Sequence, residues 1–252
     1  MILMRRAALF LLNIYLYTLF LLLSLVVIPV LSIVVAVQAP FRPHRRSMQL
    51  FRKFISWYGR AITGAAYPSI RVRFEDHAGT GTMGPAIYVC NHRSASDPFL
   101  MCVLSHEVVQ IVNIWPFRIP VIGLYARFAG YLNIRMMATE EFMARAGILL
   151  SEGVSIVFFP EGTRSTTGKM GMFHGAAFRL ALDTKASVVP LCITGNDNIP
   201  PKGSLVLHPG TIRVRALPAI TWDEYKDLTA FAFKNRVWKV IDRELATMES
   251  RA

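Results

Sequence analysis

The chain has 252 residues, of which 53% are hydrophobic and 17% are charged. This composition excludes a disordered chain and a collagen-like or repeat architecture, and the length suits one α/β domain with an appendage. The formal net charge is +12, and ten basic residues precede the first acidic residue, Glu75. Because the positive charge is concentrated at one end, it disfavours nucleic acid as a partner and favours an anionic lipid surface.

Residues 1–41 are predicted to form a hydrophobic membrane anchor. No charged residue lies between Ala7 and Phe41, and this run exceeds the roughly 20 apolar residues that a spanning helix needs. It is also longer than the apolar part of a signal peptide, and Pro40 stands where cleavage would have to occur. Pro29 removes one helix hydrogen bond, so a straight crossing, a kink and a shallow re-entrant hairpin all remain open.

Basic residues flank this anchor on both sides, and more of them follow it than precede it. Arg5 and Arg6 come before the apolar run, whereas the following segment carries Arg42, Arg45, Arg46, Arg52 and Lys53. The positive-inside rule therefore predicts that the domain after the anchor lies on the cytoplasmic side of a membrane.

Residues 42–67 are predicted to form a basic amphipathic helix at the membrane interface. Its apolar residues follow the spacing of one helical face: Phe51, Phe54, Ile55, Tyr58 and Ile62. The opposite face is polar and includes Arg52, Lys53 and Arg60. One alternative is that the apolar face packs on the domain core. The basic face and the adjacent anchor favour a helix that lies among lipid headgroups.

Residues 68–252 are predicted to form one α/β domain with a mixed, largely parallel sheet flanked by helices. Short apolar or alternating runs predict strands at 69–74, 86–91, 108–113, 131–135, 154–159, 187–193 and 211–217. Helical patterns lie between them at 97–107, 139–153 and 175–185, and a last helical stretch runs from Trp222 to Met248. Alternating strands and helices are typical of a sheet that is covered on both faces.

The first candidate motif is NHRSASDP, at residues 91–98, where an apolar strand ends and a helix is predicted to begin. Ligands of α/β sheets bind at such strand ends. His92 can exchange a proton near neutral pH, and Asp97 can orient it if the loop turns back, so the two form a candidate general base and its partner. Alternatively, Asp97 caps the following helix, whose first residue is then Pro98.

The second candidate motif is FFPEGTRS, at residues 158–165, which also follows an apolar strand. Its turn exposes backbone amides, and Arg164 is a planar donor that suits a phosphate. Glu161 could hold that arginine or bind a hydroxyl. The alternative is an ordinary turn with a surface ion pair.

Two common classes of enzyme are excluded by their missing motifs. The sequence has no G-x-S-x-G elbow, so a serine hydrolase of the usual α/β type lacks its nucleophile. Nucleotide hydrolysis through a phosphate-binding P-loop is excluded too, because Met170 follows Lys169 at the position where a P-loop needs Ser or Thr.

Four blocks in order resemble the glycerolipid acyltransferase family, the 1-acylglycerol-3-phosphate acyltransferases and their relatives. The blocks are NHRSASDP (91–98), FRIPVIGLYARFAGYLNIR (117–135), FPEGTRS (159–165) and VVPLCITG (188–195). The resemblance covers about residues 86–195, and the basic, apolar N-terminal region is similar to the membrane attachment of that family.

This resemblance implies a reaction and a set of site residues. An acyl group would pass from acyl-CoA or acyl-acyl carrier protein to the free hydroxyl of a lysophospholipid, without a metal or a resident cofactor. His92 would be the base and Asp97 its partner. The acceptor-binding residues would be Glu161, Gly162, Thr163, Arg164 and, at the end of the second block, Arg135. Membrane phospholipids would be the surroundings of the reaction.

Asn113 is a departure from the family pattern, because many phosphatidate-forming members have a phosphate-binding lysine there. Arg135, Arg164 or Arg118 could supply the missing charge. Otherwise the acceptor would be another lysolipid, such as a lyso-aminolipid, or the chain would be a non-catalytic lipid-binding protein of the same fold. A second departure is His174, where the family frequently has lysine.

Overall fold

The computed structural model describes residues 2–81, 84–112, 120–165 and 169–250. The helices in these ranges are α1 (Ile2–Leu22), α2 (Ile28–Gln38), α3 (His44–Ala65), α4 (Asp97–Leu100), α5 (Pro120–Phe128), α6 (Thr139–Ser151), α7 (Ala176–Thr184), α8 (Trp222–Tyr225) and α9 (Ala230–Ser250). The strands are β1 (Ile70–Asp76), β2 (Ile87–Cys90), β3 (Val108–Val112), β4 (Leu132–Asn133), β5 (Ser155–Phe158), β6 (Val188–Thr194) and β7 (Gly210–Ala216).

The strands form one sheet in the order β1-β7-β6-β2-β5-β3-β4. Neighbouring strands pair in parallel, except that β6 and β7 are antiparallel. A strand overlaps each of the seven predicted segments, and the predicted mixed, largely parallel sheet is confirmed. The central strands β2, β5 and β6 are buried along their whole length, as expected where helices cover both faces.

The two faces of the sheet carry two separate hydrophobic clusters. Successive side chains of a strand point to opposite faces, so Ile87 and Val89 join one cluster and Tyr88 joins the other. The first cluster is completed by helices α6, α7 and α9. The second is completed by α4 and by Leu16 of α1, so the N-terminal helix docks on the opposite face from α7 and α9.

The N-terminal apolar segment is one long helical run. It is long and apolar enough between Leu3 and Phe41 to cross a membrane, by length and composition, and little of it is buried. A π-helical turn at Leu23–Val27 precedes Pro29, with the amide of Ile28 donating to the carbonyl of Leu23. The extra residue in this turn accommodates the proline inside the helix. The run therefore contains no hairpin between residues 2 and 41.

This helical run is also fixed to the domain by polar contacts. The side chain of Asn13 accepts a hydrogen bond from the amide of Leu207 and donates one to its carbonyl, at 2.8 and 2.9 Å. The hydroxyl groups of Ser24 and Tyr58 are 2.5 Å apart in a buried contact. Buried polar groups need such partners, so these pairs specify how the helical run packs on α3 and on the domain.

Helix α3 differs from the predicted interfacial helix in the direction its faces point. Phe51 and Tyr58 of its apolar face are buried against α2 and α5. This agrees with the alternative hypothesis, in which the apolar face packs on protein. Arg52 is also buried and forms an ion pair with Glu107 at 2.7 Å. The face left exposed carries Arg46, Lys53 and Trp57, so contact with lipid headgroups through this face stays a prediction.

The predicted helix at 97–107 is much shorter in the structure. Helix α4 ends at Leu100 and a single 3-10 turn follows at Met101–Val103. A contact from α3 holds the chain at this point, because Nε of Arg60 donates to the carbonyl of Cys102 at 2.9 Å. The last predicted helical stretch is likewise divided into α8 and α9. Helix α5 lies within the block FRIPVIGLYARFAGYLNIR, at residues 117–135.

Two glycines in the segment between β6 and β7 offer a matched test of the backbone. Gly195 and Gly203 both have a left-handed φ, of 81° and 82°. A Cβ at Gly195 would lie 2.2 Å from the carbonyl oxygen of Thr211, whereas one at Gly203 meets nothing within 4 Å.

We expect Gly203→Ala to lower the free energy of unfolding by about 1 kcal/mol, the cost of a left-handed alanine. Gly195→Ala should lower it by about 3 kcal/mol or more, because the clash adds to the same backbone cost. Chemical denaturation of both variants measures the difference. Equal losses would show that the approach of Thr211 does not constrain residue 195.

Candidate active site

The candidate motifs meet because of the sheet order. β2 lies between β5 and β6 and is parallel to both, so the carboxyl ends of all three strands lie at one edge. The loops that follow them carry His92, Glu161 and Asn196 respectively. The amide side chain of Asn91 bonds both the N–H and the C=O of Ile193, at 2.8 and 3.0 Å, and so extends the pairing of β2 and β6 to the site.

His92 and Asp97 are in direct contact. His92 Nδ1 lies 2.7 Å from Oδ2 of Asp97, whose side chain is completely buried, while the imidazole is 19% exposed. The carboxylate therefore favours the tautomer with a proton on Nδ1, which leaves Nε2 as an acceptor. The imidazole also packs on the ring of Phe159, with centroids 4.8 Å apart. The geometry is that of a general base and its orienting carboxylate.

The alternative in which Asp97 caps α4 is wrong. Ser96 occupies the cap position and Asp97 is the first helical residue. Its carboxylate turns back and accepts hydrogen bonds from the amides of Arg93 and Ser94, at 2.8 and 2.9 Å. These bonds bend the motif into the loop that brings His92 to the carboxylate.

A further donor to Asp97 comes from a different strand. The side-chain amide nitrogen of Asn196, a completely buried residue after β6, donates to Oδ1 of Asp97. Both carboxylate oxygens are therefore engaged, one by the loop of His92 and one by the loop of Asn196. We assign Asn196 as a positioning residue, because it acts on His92 only through Asp97.

Glu161 is located beneath the cleft and is not part of its wall. One oxygen accepts a hydrogen bond from the amide of His92 and the other from the amide of Gly171, both at 2.7 Å. Burial raises the pKa of the Glu161 carboxyl above its ordinary value. The carboxylate thus joins two loops as a clamp, forms no ion pair with Arg164 and is not among the residues that line the cleft.

A cleft of about 560 Å³ opens beside His92. Of the predicted acceptor-binding residues, Gly162, Thr163, Arg164 and Arg135 line it. Its wall also contains the cationic side chains of Arg179 and Lys202, and none of the described residues that line it is a carboxylate. The wall thus has four cationic side chains, and none of them forms an ion pair with a described residue: Arg135, Arg164, Arg179 and Lys202. The cleft is therefore suited to an anionic group.

The other part of the cleft wall is apolar. Its largest apolar residues are Ile111, Val112, Ile134, Phe158 and Phe159. A ligand with both a charged group and a hydrocarbon chain fits such a wall, since each part finds matching chemistry.

The structure adds residues to the site that the sequence analysis did not assign to it. Asn113 and Arg118 lie outside the described residues. His174 lines the cleft and its ring lies 3.2 Å from the position of a Cβ on Gly162. Asn196 has a sequence signal, since a Gly-Asn pair directly follows an apolar strand. Lys202 has none.

The cysteines do not supply a nucleophile to the site. Cys90, Cys102 and Cys192 are free and buried. Burial raises the pKa of each thiol above its ordinary value. Inert buried thiols of this kind act as small hydrophobic side chains.

Several 1-acyl-sn-glycerol-3-phosphate acyltransferases are similar to this chain in sequence. The chain is 34% identical over 179 residues to a chloroplastic 1-acyl-sn-glycerol-3-phosphate acyltransferase of Arabidopsis thaliana, covering 69% of this chain and 49% of the relative. A 1-acyl-sn-glycerol-3-phosphate acyltransferase of Pseudomonas aeruginosa is 26% identical over 195 residues, covering 75% and 73%. The chain spans at most about half the length of the first curated relatives it matches.

The fold matches a solved structure and the sequence matches a family model. The crystal structure of the 1-acyl-sn-glycerophosphate acyltransferase PlsC from Thermotoga maritima superposes with a TM-score of 0.81, at 21% identity, over 98% of this chain and 99% of that one. At that identity the match shows the fold. The model of the family described as Acyltransferase matches residues 69–194, half of the chain. The chain belongs to the acyltransferase family.

Proposed function

We propose that this protein transfers a fatty acyl group from an acyl thioester to the free hydroxyl of 1-acyl-glycerol-3-phosphate, giving phosphatidic acid. The observation that carries the proposal is the His92–Asp97 pair in a cleft that is cationic on one part of its wall and apolar on the other. The names of the relatives agree with this acceptor.

The proposed chemistry is a direct transfer between the two substrates. His92 Nε2 accepts the proton of the glycerol hydroxyl while the hydroxyl oxygen attacks the thioester carbonyl carbon. The C–S bond then breaks, and the leaving thiolate takes the proton from the imidazolium. Asp97 holds the ring and stabilises its positive charge. Alignment of the two bound substrates supplies much of the remaining rate enhancement.

The acceptor phosphate would lie against the cationic part of the wall. Arg164 and Arg135 present planar guanidinium groups that can bind two phosphate oxygens at once, and Lys202 adds a third charge. These groups supply charge at the site without any contribution from Asn113. The acyl chains would follow the apolar part of the wall, and the apolar N-terminal helix would hold the domain at the membrane that contains them.

The domain would lie on the cytoplasmic side of that membrane. Arg42, Arg46 and Lys53 follow the apolar run and stay exposed in the structure, whereas Arg45 and Arg52 are committed to Glu107. The exposed charges match the positive-inside rule only modestly, because Arg5 and Arg6 precede the run. Protease accessibility of the domain in oriented vesicles tests this orientation.

Replacement of the base tests the proposal directly. We expect His92→Ala to lower the rate of phosphatidic acid formation by about a hundred- to ten-thousand-fold, the usual contribution of a positioned base. The assay offers lysophosphatidate and a panel of other lysolipids, with an acyl thioester, to protein in vesicles. His77→Ala is the matched control, because His77 is exposed and lies outside the cleft.

Each outcome of this assay has a distinct meaning. Product from lysophosphatidate that depends on His92 supports the proposal. Product from another lysolipid alone keeps the mechanism and corrects the acceptor. Absence of any product that depends on His92 would contradict the enzyme and favour a lipid-binding protein.

The clamp formed by Glu161 can be tested by a conservative substitution. Glu161→Gln keeps the size of the side chain but turns an amide NH₂ toward one of the two backbone N–H groups. The backbone of His92 or Gly171 should then shift, and a shift of about 1 Å can cost about a hundredfold in rate. We expect kcat to fall while stability changes little, since the amide also removes a buried charge. Glu141→Gln, at an exposed carboxylate of α6, should leave kcat unchanged.

The contact between Asn196 and Asp97 can be tested by removing the donor. Asn196→Ala removes one donor from a buried carboxylate and lets Asp97 and His92 move together. We expect kcat to fall by about tenfold or more with KM for both substrates preserved, because the substituted side chain does not line the cleft. Asn198→Ala is the control, since Asn198 is exposed two residues further on. A larger effect on KM than on kcat would contradict a positioning role.

A further inference from the structure

A second, smaller pocket of about 250 Å³ lies next to the cleft. It is lined by Met172, Phe173, Lys234, Asn235, Trp238 and Lys239, and we call it the α9 pocket because four of these residues belong to α9. Residues 172–173 line this pocket and residues 174–177 line the cleft. One continuous segment of chain therefore separates the two openings.

The chemistry of the α9 pocket combines an aromatic surface with positive charge. The indole of Trp238 is held in place because its Nε1 donates to the carbonyl of Gly171 at 2.8 Å. Lys234 and Lys239 form no ion pair with any residue in the described ranges, and the ammonium of Lys234 lies 4.6 Å from the centroid of the Phe231 ring. A fixed indole beside two such lysines suits a planar aromatic ring that carries phosphate.

A chain of hydrogen bonds connects the α9 pocket to His92. The amide of Gly171 donates to Glu161, and the other oxygen of Glu161 accepts from the amide of His92. Three hydrogen bonds thus join the indole of Trp238 to the backbone of His92. Arg179, which lines the cleft, belongs to α7. Its guanidinium lies beside Gly175, 3.7 Å from where a Cβ of that residue would be.

The location of the pocket argues for a water-soluble ligand. Helices α7 and α9 cover one face of the sheet, whereas the apolar N-terminal helix docks on the opposite face through Leu16. The pocket is therefore on the face away from the segment that would meet lipid. Among the reactants of the proposed function, the soluble and multiply charged one is the acyl donor.

We propose that the α9 pocket binds the nucleotide end of a coenzyme A thioester. The adenine ring packs on Trp238, the phosphates lie near Lys234 and Lys239, and the pantetheine arm passes His174 and Arg179 to bring the thioester to His92. This assignment rests on the proposed function and names its acyl donor. A carrier protein would present a broad acidic surface and has no adenine ring for the pocket to hold.

A comparison of two thioesters with the same acyl chain distinguishes binding in the α9 pocket from acyl transfer at His92. Acyl-CoA carries the nucleotide, and S-acyl-pantetheine lacks it. In Lys234→Ala/Lys239→Ala we expect KM for acyl-CoA to rise by about tenfold for each lysine that is replaced, with kcat retained. KM for S-acyl-pantetheine and for the acceptor should stay at the wild-type value. Lys226→Ala is the control, at an exposed lysine of the loop that follows α8.

A binding measurement provides a readout that needs no turnover. Adenosine 3′,5′-bisphosphate, titrated by calorimetry into His92→Ala protein, should bind, and binding should disappear when both lysines are also replaced. An unchanged KM for acyl-CoA, or an equal rise for both thioesters, would overturn the α9 pocket while leaving the proposed function intact. Transfer from acyl-acyl carrier protein alone would overturn it as well. A wild-type protein that transfers no acyl group from any donor would overturn the proposed function.

Discussion

The site depends on one buried carboxylate. Asp97 is completely buried and accepts hydrogen bonds from the ring of His92, from two amides of its own loop and from the side chain of Asn196. A buried charge is costly unless its oxygens are engaged, so the loops that supply these donors must hold their positions. The same bonds that make the carboxylate tolerable in the interior also fix the imidazole at the cleft.

The surrounding fold supplies the precision that this arrangement needs. Hydrogen bonds join the loops that follow β2, β5 and β6. Between the first two loops, the amide of His92 donates to Glu161, and the amide of Ser165 donates to the carbonyl of His92 at 2.9 Å. The side chain of Asn196 joins the loop after β6 to Asp97. The fully buried strands beneath them form the rigid base. Catalytic groups held by packing and hydrogen bonds in this way need little rearrangement when substrates bind.

The sheet and the strand-end motifs can be predicted from the sequence because both are local signals. Apolar runs mark the strands, and ligands of α/β sheets bind at strand ends, which is where NHRSASDP and FFPEGTRS lie. The roles of Glu161 and Asn196 are beyond such signals, since they depend on which strands are neighbours and on which groups their side chains find. The inward turn of Arg52 and the early end of α4 have the same origin, because contacts between distant segments override a clear helical pattern.

We infer that the Asp97 carboxylate orients His92 for proton transfer. The most direct measurement is the single-turnover rate of acyl transfer by Asp97→Asn at saturating substrates, with its folded state checked by thermal unfolding. Asparagine keeps the shape but sets an NH₂ group among hydrogen-bond donors and no longer favours the required tautomer. This role of Asp97 predicts a folded protein whose rate is lower by about a thousand- to ten-thousand-fold. A folded variant that transfers acyl groups within about tenfold of the wild-type rate would contradict it.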